Sequence, residues 1–262
     1  MKVSDLYAIL DSMAPFGTQE SFDNSGLLTG SMHQEVQGIL AALDVTDDVL
    51  DEAERKKANV ILTHHPLMFS PRKAVTEDDF EGRLLCRLVR RKIALIACHT
   101  NLDQAPGGIN DTLASICGLR NIRGEAFVRT GDLPVPLTLS QLIGLLETSL
   151  RTKLRVMASS PSDPMVRRVA VSSGAGSSMW EEARDAGAQV FLSGEIKHHH
   201  ALAMAGCGMI ALEAGHFATE NPGILAFADT LRRTLQSRAD SLEWKGDVMK
   251  SEVQAYSLYT DL

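Results

Sequence analysis

The 262-residue chain is poor in aromatics, 5% of its residues, so a nucleic-acid surface built on stacked bases would have little material to work with. It also lacks any excess of positive charge: 33 Asp and Glu against 26 Lys and Arg give a formal charge of −7. Nucleic-acid binding depends chiefly on clustered cations that neutralise phosphates. The one basic concentration, Arg87, Arg90, Arg91 and Lys92, reads as the solvated face and end of a helix, and DNA binding is not expected. No apolar run reaches the roughly 20 residues that cross a bilayer. The opening MKVSDLYAIL has no charged-then-apolar secretory pattern, so a cytoplasmic protein with no membrane partner is expected. The four cysteines, Cys86, Cys98, Cys117 and Cys207, include no C-x-x-C pair and are expected to be reduced and buried. Low-complexity tracts, short-period repeats and a Walker-type phosphate loop are absent as well. These absences leave a globular protein that handles small molecules.

What is present is alternation. Residues 38–45, 58–63, 92–98, 167–173, 189–193 and 208–213 are short runs of near-continuous apolar and β-branched residues, the pattern of strands covered on both faces. Between them, residues 79–91, 140–150, 178–186 and 222–236 carry helical patterns. Ser140 is a candidate N-cap, Gly187 a candidate C′ residue, and Asn221-Pro222 a candidate helix start. The order predicts an α/β fold with mainly parallel sheets, carried by two similarly patterned βαβ-rich segments. The turn-rich stretch 124–137 reads as the start of a linker, which gives an N-terminal α/β domain over 1–125 and a C-terminal one over 126–262, with the last strand free to return to the first domain.

Three polar clusters each follow an apolar run directly. They are Thr63-His64-His65-Pro66, His99-Thr100-Asn101-Leu102-Asp103, and Glu213-Ala214-Gly215-His216 with Glu220 four residues on. In open α/β sheets the carboxyl edge of the strands is where ligands bind, because the loops converge there. His64, His65, Asp103, His216 and Glu220 together exceed what one open catalytic zinc takes. They suit two zinc, iron or manganese ions sharing a bridging carboxylate in a cleft. Paired ions point to hydrolysis, since they supply a nucleophile and stabilise the developing oxyanion. Lys197-His198-His199-His200 opens a helix, so its imidazoles point to different faces, and one is expected to support the site rather than ligate. Two features have ordinary readings from spacing alone: Asp23-Asn24-Ser25-Gly26 as a turn, and Gly174-Ala175-Gly176 as a strand-to-helix turn and weak phosphate cradle.

At these residues the chain resembles the NIF-three-like dinuclear-metal proteins, often labelled GTP cyclohydrolase I type 2 homologues. The blocks FDNSGLLTG, ILTHHPLMF, HTNLDQAPGGIN, LSGEIKHHHAL and EAGHFATE are similar to that family's in order and separation. The resemblance implies two similar α/β domains with two divalent metals in the cleft between them, held by His64, His65, Asp103, His216 and Glu220. It also implies that His99 and His199 line the cleft as candidate catalytic acid–base groups, and that the chains form a ring-shaped homohexamer. Asp23, Asn24 and Glu195 fall in motif blocks with less defined roles. Phe22 stands where the family usually has Trp, and Phe217-Ala218 replaces a more polar pair. The label implies a nucleotide substrate such as GTP, opened at the purine imidazole ring. A phosphoesterase or amidohydrolase on another small molecule, and a non-enzymatic metal-binding or regulatory assembly protein, are the alternatives.

Overall fold

A computed structural model describes residues 1–158 and 162–253 of the chain. They fall into two compact units: residues 1–105 together with the described residues from Ile224 onward, and Pro106–Gly223.

The first unit holds α1 (Val3–Met13), β1 (Gly26–Thr29), β2 (Ile39–Ala42), α2 (Asp47–Arg55), β3 (Val60–Thr63), α3 (Phe80–Arg91), β4 (Ala94–Ala97) and α4 (Thr100–Gln104). The second holds α5 (Ile109–Ile116), β5 (Arg120–Arg123), β6 (Arg129–Thr138), α6 (Leu139–Leu150), β7 (Arg155–Ala158), β8 (Met165–Ser172), α7 (Trp180–Asp185), β9 (Val190–Ser193), α8 (His198–Gly206) and β10 (Ile210–Glu213). The division falls inside α9 (His216–Ser237). The first unit is completed by α10 (Ala239–Leu242) and β11 (Val248–Lys250).

Both sheets are mixed, with parallel strands at their centres. In the first, ordered β1-β4-β3-β2-β11, only the β1–β4 pairing is antiparallel. Every residue of β2, β3 and β4 is buried, as their uninterrupted hydrophobicity requires of strands covered on both faces. Val49, Leu50 and Ala53 of α2, with Leu84, Leu85 and Leu88 of α3, pack on Leu40, Ile61 and Leu95. The second sheet, β5-β6-β8-β9-β10-β7, is parallel only across β8-β9-β10. Side chains alternate across it as strand geometry demands. Val169, Val171, Val190 and Leu192 face α5 and α6, while Ala170, Phe191 and Ala211 face α7 and α8.

Register matters most for function. Ala42 pairs with Thr63 and Thr63 with Ala97, so β2, β3 and β4 end abreast. Ser172, Ser193 and Glu213 likewise end β8, β9 and β10 abreast. Each unit therefore releases three loops from one carboxyl edge.

Several local expectations change. Residues 129–138 are a strand rather than a linker. Pro134 and Pro136 mislead because they are exposed and lie where the β6–β8 register shifts, so no ladder N–H is required of them. The N-cap of α6 is Thr138, which forms a reciprocal capping box with Gln141; Ser140 is already inside the helix. Helix α9 begins at His216 and contains Pro222, which does not start it. Its first turns are held by the i,i+4 pair His216–Glu220, so the proline falls where the turn is already formed. Gly187 does end α7 with positive φ. Arg87, Arg90 and Arg91 are absorbed on α3 by Asp47 and Asp51, by Glu77 and by Glu54. Among the described residues no helix is long and apolar enough to cross a membrane.

Cysteine burial is also uneven. Cys98 and Cys117 are buried, but Cys86 is partly accessible and Cys207 is exposed, so only two of the four follow the expectation. Burial pushes the Cys98 and Cys117 thiols up to about 12. A thiol reagent applied to the native protein is therefore expected to label Cys207 first and Cys86 next. Cys98 and Cys117 should react only after unfolding, and rapid native-state labelling of Cys98 detected by mass spectrometry would contradict this core packing.

Candidate metal centre

In the first unit, strand β3 hands the chain directly to His64 and His65, and β4 passes through Cys98 to His99. One ring nitrogen from each of the three histidines lies within 4.8 Å of the others. The ring centroids of His64 stand 5.0 Å from those of both His65 and His99. Asp103, one helical turn beyond His99 on α4, places Oδ1 3.5 Å from His64 Nε2. His64 is fully buried and Asp103 is 7% exposed.

Each of these imidazoles is fixed from behind. His64 Nδ1 lies 2.9 Å from the Cys98 carbonyl oxygen. A carbonyl only accepts, so Nδ1 carries the proton and the neutral ring's lone pair is on Nε2. His65 Nδ1 sits 2.7 Å from Asp44 Oδ1, and His99 Nδ1 2.8 Å from Asp23 Oδ1. Asp23 also accepts from the Thr100 N–H at 3.0 Å and from the Thr100 hydroxyl. Burial opposes its ionisation, but the hydrogen bonds from His99 and Thr100 hold its carboxyl far below the usual range. Asp23-Asn24-Ser25 is thus more than a turn: Ser25 Oγ accepts the His99 N–H, and the Asn24 amide donates to the Met68 carbonyl.

The second unit repeats the device. His216 opens α9 after β10; its Nδ1 is 2.7 Å from Glu195 Oε1, and its Nε2 is 2.9 Å from Glu220 Oε2. Helical spacing sets His216 and Glu220 on one face. A neutral imidazole donates one proton, so the second carboxylate, at the opposite nitrogen, asks for a further proton or a cation. A cation between Nε2 and Glu220 would meet that demand. Gly174 explains its own presence here: a Cβ on it would fall 2.0 Å from Glu220 Oε1, and its φ is +54°. The Gly174 N–H donates to Thr219 Oγ1 at 3.1 Å. Gly174-Ala175-Gly176 makes room for Glu220 and leads into a short 3-10 turn over Gly176–Met179.

Among the described residues His199 belongs to none of the candidate metal-holding groups. It is exposed on the first turn of α8, with its ring 4.2 Å from that of His200. His200 Nδ1 lies 3.0 Å from Ser177 Oγ. Asp44 is the contributor that the sequence did not announce. It looks like the polar end of the run GILAALDV, and only the strand register reveals that β2 ends beside β3. The donor set of imidazole nitrogens and carboxylates fits zinc, iron or manganese, and no thiol belongs to it.

A profile of the family described as Duf34/NIF3 (NGG1p interacting factor 3) matches residues 1–254. A Clostridium perfringens protein named GTP cyclohydrolase 1 type 2 homolog is 31% identical over 246 residues, 90% of this chain and 94% of that protein. Among solved structures, a hypothetical protein of Staphylococcus aureus matches with TM-score 0.89 and 28% identity over 99% of both chains. A Bacillus cereus protein related to NIF3 matches with TM-score 0.89 over 99% of both chains; at 22% identity it speaks to the fold alone.

The carboxylate behind His65 provides a direct check. Asp44→Ala is expected to weaken zinc binding by about 10- to 100-fold, the usual effect of losing an outer partner of a metal-binding histidine. The Asp44 side chain is half-exposed, so the metal-free protein should melt within a few degrees of wild type. Unchanged zinc affinity in a competition titration would remove Asp44 from the site.

Proposed function

The chain belongs to the Duf34/NIF3 family, and from that premise we propose that it is a dinuclear-metal protein acting as a hydrolase on a small molecule. We propose that His64, His65, Asp103, His216 and Glu220 are its metal ligands, with a carboxylate shared between two ions. The observation that carries this reading is the shared tether. Four imidazoles on the carboxyl edges of two sheets each have Nδ1 set against an oxygen acceptor, which leaves Nε2 to ligate.

Two such ions, when bound, supply Lewis acidity and a nucleophile for hydrolysis. The chain's own part is orientation. Cys98, Asp44, Asp23 and Glu195 hold the rings, Gly174 and Thr219 meet beside the first turns of α9 that carry Glu220, Thr100 holds Asp23, and Ser25 holds the His99 backbone. His99 or His199 serves as the proton-transferring group in this proposal. A nucleotide such as GTP is the first substrate to try, because relatives carry the name GTP cyclohydrolase 1 type 2 homolog.

The purified protein is expected as a six-chain particle with about two zinc, iron or manganese ions per chain, the number a shared-carboxylate pair holds. The double variant His64→Ala/His65→Ala should lose them. Metal-loaded wild type is then offered GTP and, separately, a generic phosphoester. GTP opening with formate release supports the nucleotide reading, and phosphoester turnover alone moves the substrate class. A wild-type chain that takes up no metal from zinc, iron or manganese would end the proposal.

A further inference from the structure

We propose that Phe69 is the surface on which a planar heteroaromatic ring of the substrate stacks, so that the site selects small molecules carrying a ring of the nucleobase kind. This rests on the reading that the histidine cluster is the reacting centre, and it adds the residue that recognises the substrate's ring.

Exposure alone would carry little, since single exposed apolar side chains are common. Phe80, 48% exposed, has an ordinary explanation: the Arg83 guanidinium lies 5.8 Å from its ring centroid and uses its face. Phe69, 47% exposed, differs in what it touches. Its ring meets that of His99, with centroids 5.2 Å apart and planes at 83°. The His99 ring stands in turn 5.0 Å from that of His64. A large apolar ring, half open to solvent, therefore borders a cluster that is otherwise polar.

The segment that presents this ring is braced on both sides. Before it, the Thr63 hydroxyl donates to the His65 carbonyl at 2.8 Å, and Leu67 and Met68 pack into the core of the first unit. The Asn24 amide donates to the Met68 carbonyl at 2.7 Å. After it, Arg72 donates to Asp79 at 2.6 Å and to Glu81 at 2.5 Å, at the start of α3. A ring fixed before its ligand arrives loses less conformational freedom on binding.

The two neighbours define the chemistry of the ligand. Phenylalanine offers a π-system and no hydrogen-bonding group, and it pairs best with another flat ring. The imidazoles, with Asp103 Oδ1 3.5 Å from His64 Nε2, call for polar groups on the same molecule. A sugar or a short acid would meet the polar cluster and leave Phe69 bare. An aliphatic chain would cover Phe69 and leave the polar atoms unmet. A heteroaromatic ring has a flat face for the one and a nitrogen and oxygen edge for the other.

The test measures binding by calorimetry on the full-length, zinc-treated protein. The probes are GMP, AMP and CMP, with ribose 5-phosphate as the control that lacks only the base. At least one of the three monophosphates is expected to bind wild type more tightly than ribose 5-phosphate does. Phe69→Leu should weaken that monophosphate by about 5- to 100-fold, the usual cost of losing a stacked base. It should leave ribose 5-phosphate affinity, zinc uptake and circular dichroism as in wild type. Phe80→Leu should bind every probe as wild type does. Phe69→Trp should keep the affinity, and its fluorescence should be quenched by the monophosphate but not by ribose 5-phosphate; Trp180 and Trp244 are buried and give a steady background.

The proposal is overturned if wild type holds no monophosphate more tightly than ribose 5-phosphate, or if Phe69→Leu binds them all as wild type does. Equal losses for ribose 5-phosphate, or the same loss in Phe80→Leu, overturn it as well. Zinc uptake is read separately in each sample. A chain that loads zinc but shows no preference for the base loses this inference and keeps the metal reading, whereas a chain that prefers the base but takes up no zinc loses the metal reading.

Discussion

The site depends on one constraint, the hydrogen bond at the back of each imidazole. A neutral histidine has one N–H and one lone pair, and whichever nitrogen donates decides which can ligate. Here Nδ1 is committed four times, to the Cys98 carbonyl, Asp44, Asp23 and Glu195. Every one of these acceptors sits at a strand end or in a loop beside one, so the sheets that build the core also aim the rings. The parallel register converts backbone geometry into ligand geometry, because strands that end abreast release their loops side by side.

Charge leads to the same requirement. His216 lies between Glu195 and Glu220, and the histidines of the first unit have Asp23, Asp44 and Asp103 around them. Carboxylates partly withdrawn from water are costly unless something positive meets them. A divalent cation shared by the rings and carboxylates would answer that need while leaving the rings neutral. The close approach of Gly174 to Glu220 shows how little slack the second unit allows its carboxylate.

Much of this was legible in the sequence. Strands β2, β3, β4, β9 and β10 and the buried second half of β8 are short apolar runs, and each polar cluster comes directly after one of these strands. The motif blocks pointed to the family, and the profile match over residues 1–254 agrees. Other features were hidden for physical reasons. Asp44 is an acidic residue at the end of an apolar run, and nothing local says that its carboxylate meets an imidazole 21 residues away. Asp23 was concealed by ordinary turn chemistry, since Asp-Asn-Ser-Gly bends a chain whether or not its carboxylate grips His99. The prolines of β6 and Pro222 of α9 obscured elements whose tertiary setting tolerates them, by exposure at a register shift and by a preceding turn already fixed. Gly174 read as an ordinary strand-to-helix turn glycine because sequence shows that a side chain is missing but not which neighbour needs the space.

The most direct test of the metal centre is X-ray absorption on the zinc-loaded protein. A nitrogen and oxygen shell at about 2.0–2.1 Å is predicted, with the outer-shell scattering of several imidazoles and no sulfur. A sulfur shell near about 2.3 Å, or an oxygen-only shell without imidazole scattering, would contradict it and return the tethered histidines to a purely structural role.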